Sequence, residues 1–259
     1  MTFRAVAALG GALALALSGA PISNAAVLPL AKDHIEHGSP TFELAKFRTN
    51  LDQKVREGAP DASTERWRFD ALSPSQLTQF SLYLTGDIDP FASIGQTSAA
   101  GSGFTDTRHV QHIGDFQLTA ETNSDIGLGS QGGGVVGPSR LRMAATIYNV
   151  HSSYDYTYSF AGVKLIKTRV WADYKTQSGV LKSVTDWACQ IVQNYDIQAE
   201  VSSTKQSRVL SGGVATFKSY VVSKRGVPTP WGQITTSTRS GYQYMKVNGA
   251  GIVSSGWTS

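Results

Sequence analysis

The chain has 259 residues, 41% of them apolar, which is enough to bury a sizeable core and excludes wholesale disorder. Only 16% are charged and 26 are glycine, a composition that excludes coiled coils and long solvent-laced helices. A single cysteine excludes an intrachain disulfide framework and cysteine-rich zinc folds, and the net charge of +4 comes without a dense Lys/Arg run, so nucleic acid is not an expected partner.

Residues 1–26 read as a secretory signal peptide. Arg4 supplies the basic start, Ala5 to Leu17 the apolar stretch, and Ser23-Asn24-Ala25 the small residues of a cleavage site. That stretch is shorter than the roughly 20 residues of a spanning helix, and no later segment is long and apolar enough to serve as one. The expectation is a secreted, extracellular bacterial protein without a transmembrane helix. Cys189 lies in the apolar run Trp187 to Val192 and reads as a small hydrophobe rather than a reactive thiol.

Residues 27–90 read as a two-helix segment, either docked on the β region or removable as a pro-region. Ser39-Pro40 combines an N-cap with proline at the first helical position, and Leu44, Phe47, Leu51 and Val55 recur at helical spacing. Ser73-Pro74 repeats the signal, with Gln76 placed for a capping box and Leu77, Phe80 and Leu84 on one face. Residues 91–103 extend the loop that begins at Asp87.

From residue 104 the apolar period changes from 3.6 to 2. About ten strands, separated by Gly/Ser/Asn turns such as Ser178-Gly179 and Asn248-Gly249, predict an antiparallel β-sandwich or jelly-roll-like domain over 104–259. Charge divides along the same boundary: residues 27–90 carry a net −3 and residues 91–259 a net +6.

Several patterns bear on function. His34/His37 and His109/His112 are H-x-x-H pairs, but the second lies in a strand, where residues three apart face opposite ways, and no metal or other cofactor is expected. Gly127 to Gly132 matches G-x-G-x-x-G, yet Gly133, Gly134 and Pro138 occupy the positions where a phosphate-binding helix would have to start. Asp87 and Asp89 read as turn residues.

Glu121 and Glu200 are the two glutamates of the β region, both on polar strand faces. Opposed across a cleft they would suit retaining glycoside hydrolysis, one as nucleophile and the other as acid/base. The composition is broadly similar to that of secreted jelly-roll glycosidases, without their motifs. Tyr154, Tyr156, Tyr158 and Phe160 alternate with polar residues, and Trp171 lies in the next strand. Such a row is either the packing face of a sheet or a platform on which sugar rings stack.

These features support three functions. The first is non-enzymatic binding of a polysaccharide or cell-surface ligand through Tyr154, Tyr156, Tyr158 and Trp171. The second is a glycoside hydrolase using Glu121 and Glu200. The third is a membrane-active β protein, in which the Ser/Thr-rich stretch Ser202 to Ser219 would rearrange into a hairpin.

Overall fold

Both serine–proline signals start helices. In a computed structural model of the chain, which describes residues 39–89, 97–128, 146–229 and 232–258, α1 spans Pro40–Arg56 and α3 spans Pro74–Leu84. The Ser39 hydroxyl accepts from the Phe42 amide, and Ser73 and Gln76 form a reciprocal capping box. Between the two helices read from the sequence lies a third, α2 (Ala62–Asp70). Its apolar stripe is too short to register as a period: Ala62, Glu65 and Phe69 are its buried residues, and one of the three is an acid. The signal-peptide region and His34/His37 lie outside the described residues.

Ten strands come after the helices among the described residues. β1 (Thr97–Gly103) pairs with β10 (Gly251–Thr258), which continues to β9 (Gly232–Asn248), β8 (Val214–Thr229) and β7 (Ala199–Ser211). The second sheet runs β2 (Thr107–Ile113), β3 (Phe116–Leu128), β4 (Ile147–Phe160), β5 (Val163–Gln177) and β6 (Val180–Asn194). Every pairing is antiparallel. The protein is mainly β, built from two five-stranded sheets. β1 corrects the loop expected over 91–103: its sequence, Thr-Ser-Ala-Ala-Gly-Ser-Gly, has no apolar alternation, and pairing to the edge of β10 makes it a strand.

Tight turns set the register. β5 and β6 are joined by Ser178-Gly179 and β7 and β8 by Gly212-Gly213, all four at positive φ, as two-residue primed turns require. The stretch Ser202 to Ser219, expected to become a hairpin only on rearrangement, already lies within the β7–β8 hairpin.

The sheets face each other over one apolar cluster. Tyr156 of β4 stacks on Trp257 of β10 at 5.3 Å and 15°. Gln243 of β9 is fully buried, and its Nε2 donates to the Tyr154 carbonyl of the opposite sheet at 2.9 Å. The helices join the same cluster, with Phe80 of α3 stacked on Phe160 at 4.9 Å and Tyr83 tilted on Phe116 at 5.1 Å. They cover the end of the sandwich that holds the β4–β5 turn and the residues between β6 and β7, where Asn50 donates to the Tyr195 carbonyl and the Lys164 amide donates to Glu65. Residues His37–Ser259 cluster as one compact unit.

Candidate functional site

The tyrosine row is the core. Tyr154, Tyr156 and Phe160 are 0% exposed and Tyr158 is 9% exposed, so they cannot serve as a binding platform. A period of two identifies a face without saying which way it looks. Here the polar face is the outer one, with Asp155, Thr157 and Ser159 alternating with the rings. Burial pushes the Tyr158 phenol well above its ordinary range. Trp171 does reach the outer surface of this sheet, half-buried, with its ring 5.6 Å from that of His151. The His151 Nδ1 in turn lies 2.7 Å from the Asp173 carboxylate.

The two glutamates do not form a pair. Glu121 sits on β3 with its carboxylate 3.1 Å from the Arg108 guanidinium, on the outer face of the second sheet. Glu200 lies on β7 of the other sheet, between Ala199 and Val201, which pack on the core, so it points away from that core. The sandwich itself separates them, and no cleft holds both. The carboxylate placed beside Glu121 is Asp155, directly across from it in the β3–β4 register. Asp155 is 1% exposed. Burial pushes its carboxyl up, but the bonds from Arg169, at 2.6 and 2.7 Å, and from Lys167, at 2.7 Å, outweigh this and hold it below the usual carboxylate range. Locked as an anion with its oxygens occupied, Asp155 cannot supply the protonated acid that glycoside hydrolysis requires. The polar groove around these residues, about 360 Å³, is lined by four cations and one acid, and each cation is paired with a carboxylate: Arg68 with Glu65, Arg108 with Glu121, Lys164 with Asp61 and Lys167 with Asp155.

The surface suited to ligand stacking is the outer face of the other sheet. Alternation along β8 and β9 sends Phe217, Met245 and Val247 inward and Lys218, Tyr220, Tyr242, Tyr244 and Lys246 outward. Tyr220 and Tyr242 are directly cross-strand, with ring centroids 5.2 Å apart. Lys218 lies 6.0 Å from the centre of the Tyr242 ring, and Lys246 lies 5.9 Å from that of Tyr244. On the other side of β9 the outward positions opposite these residues are Ser254, Gly256 and Thr258 of β10. A trough of about 480 Å³ lies beside the Tyr244 ring, lined by Val209, Thr216, Lys218, Tyr244, Lys246 and Thr258.

No family model, curated protein or solved structure matches the chain.

The charge of this sheet is lopsided. Strands β7, β8 and β9 carry seven Lys and Arg residues against one acid, Glu200, and β1 and β10 carry no charge at all. The net +6 read from the β region as a whole is therefore concentrated in one sheet. Tyr242-Gln243-Tyr244 has the same period of two as the Tyr154 row, but with only two members it did not stand out, and its partner Tyr220 is brought alongside only by the pairing of β8 with β9. Of the remaining sequence candidates, His109 and His112 are both exposed on β2, and Cys189 is half-buried against the core.

Proposed function

We propose that the protein binds an acidic polysaccharide, without cleaving it, on the outer face of the β1-β10-β9-β8-β7 sheet. The observation that carries this reading is the conjunction of the Tyr220, Tyr242 and Tyr244 rings, the Lys218 and Lys246 ammonium groups and the trough beside Tyr244. Tyrosines present apolar faces to the C–H faces of sugar rings while their hydroxyls remain free to hydrogen-bond. The lysines add selectivity for carboxylated or sulfated sugars over neutral ones. Secretion, as read from residues 1–26, belongs to the same proposal, since such polymers lie outside the cell.

The experiment is titration calorimetry of the protein with polygalacturonate, alginate, neutral dextran and a single-stranded oligonucleotide. Binding to an acidic polysaccharide that weakens by about tenfold or more in Tyr242→Ala is expected, by analogy with the 1–3 kcal/mol that ring stacking contributes elsewhere. Binding to the oligonucleotide alone, or affinity untouched by Tyr242→Ala, would sink the proposal.

A further inference from the structure

The sandwich has two unlike ends. One is capped by the helices. At the other lie the β5–β6, β7–β8 and β9–β10 turns together with the last residues of β3 and the first of β4. The turns are crowded together: a Cβ on Gly249 would collide with the Gly179 carbonyl. Among the described residues twelve large apolar side chains are exposed, and seven of them lie at this one end. Ile126, Ile147 and Tyr148 come from the β3–β4 pair. Val180 comes from the β5–β6 turn, Val209 and Leu210 from the β7–β8 hairpin, and Val253 from the bulge between Ile252 and Ser254. Leu210 is 62% exposed and Val180 50%. Basic residues stand among them, namely Lys175, Lys182, Arg208 and Lys246, against the acids Asp106 and Asp125.

We propose that this turn end docks on an anionic lipid surface, inserting its apolar tips between the headgroups while the basic residues contact lipid phosphates. The chemistry fits lipid better than protein. The apolar groups are carried on separate strand ends of both sheets, alternating with cations, whereas a protein interface concentrates its apolar groups in a charge-depleted centre. A bilayer interface needs no matching shape: it takes up scattered apolar side chains, seats tyrosine at headgroup depth and attracts surrounding lysine and arginine. This docking borders the polysaccharide trough, with which it shares Val209 and Lys246, but the Tyr220 and Tyr242 rings lie on the sheet face, away from the turns.

Flotation of the full chain with phosphatidylcholine vesicles, with and without phosphatidylglycerol, tests it. Binding to the phosphatidylglycerol vesicles is expected to fall about tenfold in the double variant Val180→Ser/Leu210→Ser, from the apolar surface removed. The charge reversals Lys182→Glu and Arg208→Glu, which leave the apolar tips in place, should weaken it comparably, whereas Tyr242→Ala should leave it unchanged. Absence of vesicle binding by the wild-type chain overturns the proposal, as does equal binding by all variants. Equal affinity for both vesicle types overturns the anionic specificity. A wild-type dimer that becomes monomeric in the double variant, without any vesicle binding, assigns the surface to a second copy of the chain instead.

Discussion

The Tyr83 hydroxyl donates to the Asp196 carboxylate at 2.6 Å, joining α3 to the residues between β6 and β7 across 113 positions of sequence. Arg225 of β8 completes the cluster: its Nε donates to the same carboxylate oxygen at 3.2 Å, its Nη2 donates to the Tyr83 carbonyl at 3.1 Å, and its guanidinium lies 3.7 Å from the centre of the Tyr83 ring. One buried ion pair thus holds the helical cap, the crossover between the sheets and the long hairpin. Removing the phenol hydroxyl leaves the Asp196 carboxylate short of one hydrogen bond in a site that excludes water, so Tyr83→Phe should cost about 1–3 kcal/mol in chemical denaturation. A variant as stable as wild type would show that the hydroxyl contributes nothing net.

The same cluster bears on the helices as a unit. The apolar stripes of the helices, taken alone, predict that deleting residues 31–86 leaves a β domain folded but less stable. With Phe80 stacked on Phe160, Tyr83 on Phe116 and on Arg225, deletion of that segment would expose the aromatic end of the core and leave a buried charge without its cover. The truncated chain is expected to be insoluble or to give an unfolded circular dichroism spectrum. A cooperative melt would show that the helices are a detachable layer.

Alkaline pH should destabilise the protein. Burial raises the Tyr83 and Tyr158 phenols well above 10 and the Tyr174 and Tyr195 phenols to about 12. The unfolded chain then releases phenolic protons near pH 10 that the folded chain keeps. Stability is therefore fully present below that pH and is lost as the pH climbs towards the folded values. Melting temperatures measured from pH 8 to pH 11.5 should fall beyond pH 10, and less steeply in Tyr83→Phe. A flat profile contradicts the burial of these rings.

Asp155 works in the opposite direction. Its folded carboxyl titrates below the unfolded one, so the stability it contributes is present above about pH 4 and lost as the pH falls through the folded value. Asp155→Asn should cost about 1–3 kcal/mol at neutral pH, by leaving Lys167 and Arg169 without their shared anion. It should also flatten the acid limb of the stability profile. Urea denaturation at pH 7 and pH 3 separates the two effects, and an undiminished acid limb would assign that limb to other carboxylates.

Tyr156→Ala and Tyr242→Ala, which look alike in sequence, should behave oppositely. The first removes a fully buried ring from its stack on Trp257 and is expected to cost about 3–5 kcal/mol, as for other buried aromatic rings. The second removes an exposed ring and should change stability by less than about 0.5 kcal/mol while weakening polysaccharide binding. Thermal melts and calorimetry on the pair measure both quantities.

Much of this architecture was legible in the residues alone. Serine–proline caps act on their own helix, and alternation acts on its own strand, so the starts of α1 and α3 and the strands Val163–Gln177 and Val180–Asn194 could be read locally to within a few residues. Chain-wide charge counts likewise revealed the basic β region. What local patterns cannot specify is which side of a sheet meets the other sheet. That depends on how the two hydrophobic faces close on one another, and it put the four-membered Tyr154 row inside and the less conspicuous Tyr242–Tyr244 pair outside. Closure also placed Glu121 and Glu200 on opposite faces of the molecule and brought seven apolar tips from both sheets to a single end, while the β4–β5 register gave Asp155 its two cations. Residue order along the chain dictates the elements and their period. Long-range packing, driven by burying apolar area, chose which residues were left at the surface to meet a ligand.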